Sequence, residues 1–166
     1  MTLQQEKFLR LAVIDKIKYF EIAKQLDVDL KTLSKWWDEL KEPRERLSRQ
    51  LQIWKSKCKD TDFKIFQKWL EGAPKKCFYC DITEAEIEKL YTIDKPLTKR
   101  SRGKKLEIDR KEPSRNYEDL SNLVFACYWC NNAKTDTFSV EEFKPIGREI
   151  KRIWKGRLSA VKNNIN

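Results

Sequence analysis

Cys77-Phe-Tyr-Cys80 and Cys127-Tyr-Trp-Cys130-Asn131-Asn-Ala-Lys134 are the stretches that decide the fold of the second half of this chain. In each, two residues separate the cysteines, the spacing at which both sulfurs of a tight turn face one ion. Two such knuckles make a closed tetrahedral thiolate site typical of structural Zn2+. With no open position for water, that ion folds the module and performs no chemistry. Met1 to Arg10 is polar and does not read as a signal peptide, and no run is long enough to span a bilayer. A cytoplasmic protein with no membrane partner is expected. In that reducing compartment, close cysteine pairs point to metal rather than disulfides, and Cys58, the odd one out, reads as a buried small hydrophobe.

The segment between the knuckles is longer than a zinc ribbon needs. It begins with Thr83-Glu-Ala-Glu86, a capping box that predicts a short helix through Tyr91. A loop from Leu97 to Lys105 follows, with Lys99, Arg100, Arg102, Lys104 and Lys105 around Gly103; it suits phosphates, and equally a solvated charged surface. Leu106-Glu-Ile-Asp-Arg110 alternates as a strand does, and Pro113 and a turn over Ser114 to Asn116 come next. Beyond Lys134, Ser139-Val-Glu-Glu142 is a second capping box, with Phe143 expected to fold back on the zinc module before Pro145. Arg148 to Leu158 reads as a final helix whose Lys151, Arg152, Lys155 and Arg157 fit either DNA contact or a solvated face.

The series Leu106-Glu-Ile-Asp-Arg110 with Pro113, then Asn122-Leu123, then the second knuckle with Asn131 and Lys134, resembles the HNH (ββα-metal) nucleases in their zinc-bound, two-knuckle form. The resemblance runs from Cys77 to Phe143. It implies a β-hairpin and helix around a catalytic Mg2+ or Mn2+, with Asp109 as carboxylate ligand and Asn131 as ligand from the helix start. Asn122 would brace the hairpin loop. Glu107 shares a strand face with Asp109 and reads as a further ligand, an outer partner, or half of a salt bridge. Where the family has its general-base histidine this chain has Arg110, and it contains no histidine at all. A guanidinium stays protonated, so Arg110 reads as a phosphate clamp. Another group such as Tyr117 or Lys111 then activates water, or a metal-bound hydroxide attacks unaided, or the chemistry is lost and the grip on DNA is kept.

In the first half, apolar residues recur at helical spacing over Lys7 to Phe20, a shorter helix fits Phe20 to Leu26, and Asp29 is a good N-cap for a helix from Leu30 to Leu40, closed by Pro43. The stretch resembles a helix-turn-helix: Ile22, Ala23 and Leu26 lie on one helix, Val28 follows the turn, and Leu33 and Trp36 face back, although Asp27 stands where many such motifs carry Gly. The resemblance implies an exposed face of Lys31, Thr32, Ser34, Lys35 and Trp37 toward DNA. A plain three-helix bundle has the same periodicity. Glu45 to Leu70 stays helical with a break near Lys59 to Asp62, and Gly72, Ala73 and Pro74 end the run.

Thirty-six Lys and Arg against 26 Asp and Glu give a net charge of +10, which suits a polyanion. The whole reads as α+β: a helix-turn-helix-like region over 1–45, a helical connector over 46–75, a zinc-bound HNH-like module over 76–145, and a basic helix and tail over 146–166. Nucleic-acid contacts are expected from Lys31, Lys35, Lys99, Arg100, Arg102, Lys104, Lys105 and Lys134 on double-stranded DNA. RNA and a homodimer remain compatible with the pattern. The expected activity is metal-dependent DNA cleavage, its rivals a non-catalytic DNA-binding regulator on a degenerate HNH scaffold and a zinc-stabilised protein-interaction module.

Overall fold

The computed structural model describes residues 1–93, 97, 98 and 100–163. The chain is α+β, mostly helical with one two-stranded sheet, and divides into two compact units, Met1–Gln67 and Lys68–Asn166.

In the first unit, α1 (Leu3–Leu9) starts from a Thr2–Gln5 capping box. A π-helical turn over Arg10–Ile14 follows, and Lys16, at φ 53°, ends the run. The apolar periodicity over Lys7 to Phe20 therefore spans a helix end that hydrophobic spacing does not mark. Helix α2 (Tyr19–Leu26) meets α3 (Leu30–Glu39) through Asp27, which takes the left-handed conformation (φ 54°, ψ 51°) that glycine usually supplies. Asp29 caps α3 by accepting from the Thr32 N–H at 2.6 Å, as its sequence position predicts.

Pro43 does not close α3. It sits in the first turn of α4 (Lys41–Lys57), where its missing N–H would have no helical partner anyway. Phe8 is fully buried at the centre of this unit, its ring 5.7–6.3 Å from those of Tyr19, Trp36 and Trp37. Trp37, expected on the exposed face, packs on this core instead, with the Arg44 guanidinium 4.0 Å above its ring. The expected break falls at Cys58 to Asp62: the Trp54 indole donates to the Thr61 carbonyl, and Asp62 accepts from the amides of Lys64 and Ile65 at the start of α5 (Phe63–Gly72). Cys58 is buried.

The second unit carries α6 (Glu84–Ile93), capped by Thr83 and Glu86, then β1 (Glu107–Arg110) and β2 (Leu123–Ala126), α7 (Tyr128–Lys134) and α8 (Val140–Asn163). The strands are antiparallel, with Asp109 opposite Val124 and Glu107 opposite Ala126. Helix α8 starts from the Ser139–Glu142 box and continues through Pro145, so the expected separate helix from Arg148 is part of one longer one. Phe143, fully buried, and Gly147 hold α8 on the first knuckle. A Cβ on Gly147 would lie 2.7 Å from the Tyr79 carbonyl oxygen. Among the described residues, no helix is long and apolar enough to cross a membrane.

Candidate functional site

The four cysteines converge as the spacing predicts. Cys77, Cys80, Cys127 and Cys130 are all buried, and their sulfurs lie within 4.8 Å of one another. The Cys80 and Cys127 sulfurs are 3.7 Å apart. That is too far for a disulfide and close to the edge, roughly 3.8 Å, of a tetrahedron with Zn–S bonds of about 2.3 Å. The donor set is soft and closed, and fits structural zinc. Hydrogen bonds from the other three thiols hold the Cys77 pKa far below that of an ordinary thiol, while the same sulfur contacts together with burial push Cys80 and Cys130 up. A bound cation would compensate all four sulfurs at once.

Local folding sets the knuckles. In the first, Asp81 adopts φ 61°, its amide donates to the Cys77 carbonyl, and the Cys77 amide donates to the Ile82 carbonyl. The Phe78 amide donates to the Phe125 carbonyl, joining this knuckle to β2. In the second, Cys127 is the N-cap of α7, its sulfur accepting from the Cys130 amide. The second knuckle is thus continuous with the helix that faces β1.

Between β1 and α7 lie two polar rungs. Asn131 Nδ2 donates to Glu107 Oε2 at 2.6 Å. Asp109, only 8% exposed, accepts at Oδ2 from the Tyr79 hydroxyl at 2.7 Å and lies 3.6 Å from the Lys134 ammonium. Burial, then the bond to Asp109 and its negative charge, push the Tyr79 phenol well above its ordinary pKa, so it stays a donor. Lys134, expected at a DNA-facing surface, is instead 1% exposed; its ammonium donates to the Arg110 carbonyl at 2.9 Å. An ammonium can stay in so dry a place because it is paired and bonded there. It is withdrawn from the nucleic-acid contacts.

Asp109 and Asn131 are therefore held by different partners rather than by each other, Asp109 through Oδ2 and Asn131 through Nδ2. Their Oδ1 atoms have no hydrogen-bond partner among the described residues. The Asp109 carboxylate on β1 and the Asn131 amide on α7 offer hard oxygen donors of the type a Mg2+ or Mn2+ ion takes. Glu107 pairs with the Asn131 amide.

Asn122, 1% exposed, bonds both backbone groups of Glu112: its Oδ1 accepts from the N–H at 2.9 Å and its Nδ2 donates to the carbonyl at 3.0 Å. The loop between the strands is closed there. Arg110 leaves the end of β1 with its guanidinium 2.7 Å from the exposed Asp136 carboxylate and 4.8 Å from the Tyr117 ring centre. Lys31 and Lys35 are exposed, Lys35 beside Glu39 at 3.6 Å. Arg100, Arg102 and Lys104 are exposed on the basic loop, and Lys105 pairs with Glu84 at 3.3 Å; Lys99 lies outside the described residues.

Sequence reasoning missed Tyr79 and Asp136 and misplaced Lys134. The i, i+3 spacing of Asn131 and Lys134 was the available signal, since it sets both on one helix face.

No family model matches the chain, and no curated protein does. A solved structure of the rare-cutting HNH restriction endonuclease PacI is similar to it, at 25% identity and a TM-score of 0.51 over 65% of this chain and 80% of that one. Hairpin, helix and paired knuckles together give this chain an HNH-like fold.

Proposed function

We propose that this chain is a metal-dependent DNA endonuclease that hydrolyses phosphodiester bonds at the face shared by Asp109 and Asn131. The observation that carries the reading is a strand carboxylate and a helix amide, each with one oxygen open, in a fold similar to that of a restriction endonuclease. Those two residues would hold Mg2+ or Mn2+, which when bound stabilises negative charge on the phosphate and its departing oxygen.

Arg110 stands where the resemblance calls for histidine. It cannot accept a proton from water, and its fork would clamp a phosphate in competition with Asp136. Asn122 keeps the loop closed, so that β1 ends in a fixed direction. The α2–Asp27–α3 arrangement would serve as a helix-turn-helix presenting Lys31, Thr32, Ser34 and Lys35 to duplex DNA, and Arg100, Arg102 and Lys104 would add phosphate contacts.

The test is nicking of supercoiled plasmid in Mg2+ or Mn2+. Wild type should nick and Asp109→Ala should not; equal traces from both across several substrates remove the enzyme. The second reading is a non-catalytic DNA-binding regulator, favoured by Arg110 at the histidine position in a chain without histidine. Binding to duplex that needs no added divalent ion, with no nicking, would select it.

A further inference from the structure

We propose that Lys134 is a positioning residue, a built-in cation that holds the Asp109 carboxylate in place from the helix while Glu107 holds the Asn131 amide in place from the strand. The inference deepens the nuclease reading and rests on it for the identity of the two ligands. On β1, Glu107 and Asp109 are two residues apart and share a face. On α7, Asn131 and Lys134 are three apart and share a face. Where strand and helix meet, the rungs pair Glu107 with Asn131 at 2.6 Å and Asp109 with Lys134 at 3.6 Å.

Each rung joins one proposed ligand to one residue that is not a ligand, and the ligands come from opposite elements. A cation drawn between them would tie strand to helix a third time. Each grip takes one polar atom and leaves the other: Tyr79 and Lys134 share Oδ2 of Asp109, and Glu107 takes Nδ2 of Asn131. A carboxylate accepts only, so the Glu107 contact forces the amide nitrogen toward itself and turns Asn131 Oδ1 away. Partners of this sort fix the direction of metal ligands and tune their grip.

Lys134 does more than balance charge. Its bond to the Arg110 carbonyl anchors the backbone from which the Arg110 side chain departs, and its ammonium lies 6.0 Å from the Tyr79 ring centre. One buried ammonium thus joins the strand end to the carboxylate that Tyr79 of the first knuckle also holds.

The experiment is thermal unfolding of the zinc-loaded full chain, with and without Mn2+, for wild type, Lys134→Met and the double variant Asp109→Asn/Lys134→Met. Lys134→Met leaves a carboxylate buried without its counter-charge and should melt lower by on the order of 10 °C. Mn2+ should raise its melting temperature more than it raises that of wild type, because the ion restores positive charge beside Asp109. The double variant should regain much of the loss and respond little to Mn2+. If Lys134→Met does not fold, folding of the double variant supports the proposal. A Mn2+ shift in Lys134→Met no larger than in wild type, or a double variant no more stable than Lys134→Met, overturns it. Plasmid nicking by wild type judges the nuclease reading separately, so Mn2+ rescue without nicking keeps Lys134 in this role and removes the enzyme.

Discussion

The two units of this chain are held by different chemistry. Met1–Gln67 closes around Phe8, with aromatic rings on several sides and no buried polar side chain. In Lys68–Asn166 the buried set includes four thiols, Asp109, Asn122 and Lys134. The sheet and helices of the second unit bury an apolar core of their own, larger than that around Phe8, and the thiol cluster and polar rungs are built into it rather than in place of it. The lesson is one of permission. Polar groups can be kept dry and aimed only where something other than apolar contact secures the fold, and the same region is where chemistry is placed.

That contrast can be broken first at the four-cysteine site, which fits structural zinc. Chelation, or Cys127→Ser, should unfold the second unit outright, since structural zinc is worth on the order of 10 kcal/mol or more, while the first unit keeps its helices. Hydrogen exchange read unit by unit checks this, and coincident loss of protection in both would contradict it. Next in size, Phe8→Ala should cost about 3–5 kcal/mol in the first unit with zinc content unchanged by metal analysis. The smallest effect is expected at the α3 cap. The Thr32 hydroxyl and amide hold the Asp29 carboxyl below its usual pKa, so its contribution is present above the unfolded pKa and fades as pH falls through the lower folded one. Asp29→Ala should therefore speed exchange of the α3 amides at neutral pH, and the difference from wild type should close in acid. A difference that persists at low pH would assign the effect to packing.

Much of this architecture was legible because it is local. Asp29, Thr83 with Glu86, and Ser139 with Glu142 announce their helices through bonds made within three residues. The cysteine pairs likewise carry their spacing in sequence. What was not legible depended on distant partners or on backbone tolerance. Pro43 and Pro145 look alike as letters, yet one lies in a first turn and the other inside a helix docked through Phe143 and Gly147. Charge alone placed Lys134 with the DNA contacts, because nothing near it in sequence reveals Tyr79 or the Arg110 carbonyl waiting in the interior. Asp27 takes the left-handed conformation without being glycine, which its residue type does not announce.

Trp129, between the cysteines of the second knuckle, meets Trp154 of α8 edge-on with ring centres 4.7 Å apart. Two indoles at that separation couple their electronic transitions, and the coupling vanishes if either drifts. The protein therefore carries its own optical gauge: the dichroism lost on Trp154→Phe isolates this pair among the six tryptophans and reports whether the second knuckle and the last helix are seated, without any dye.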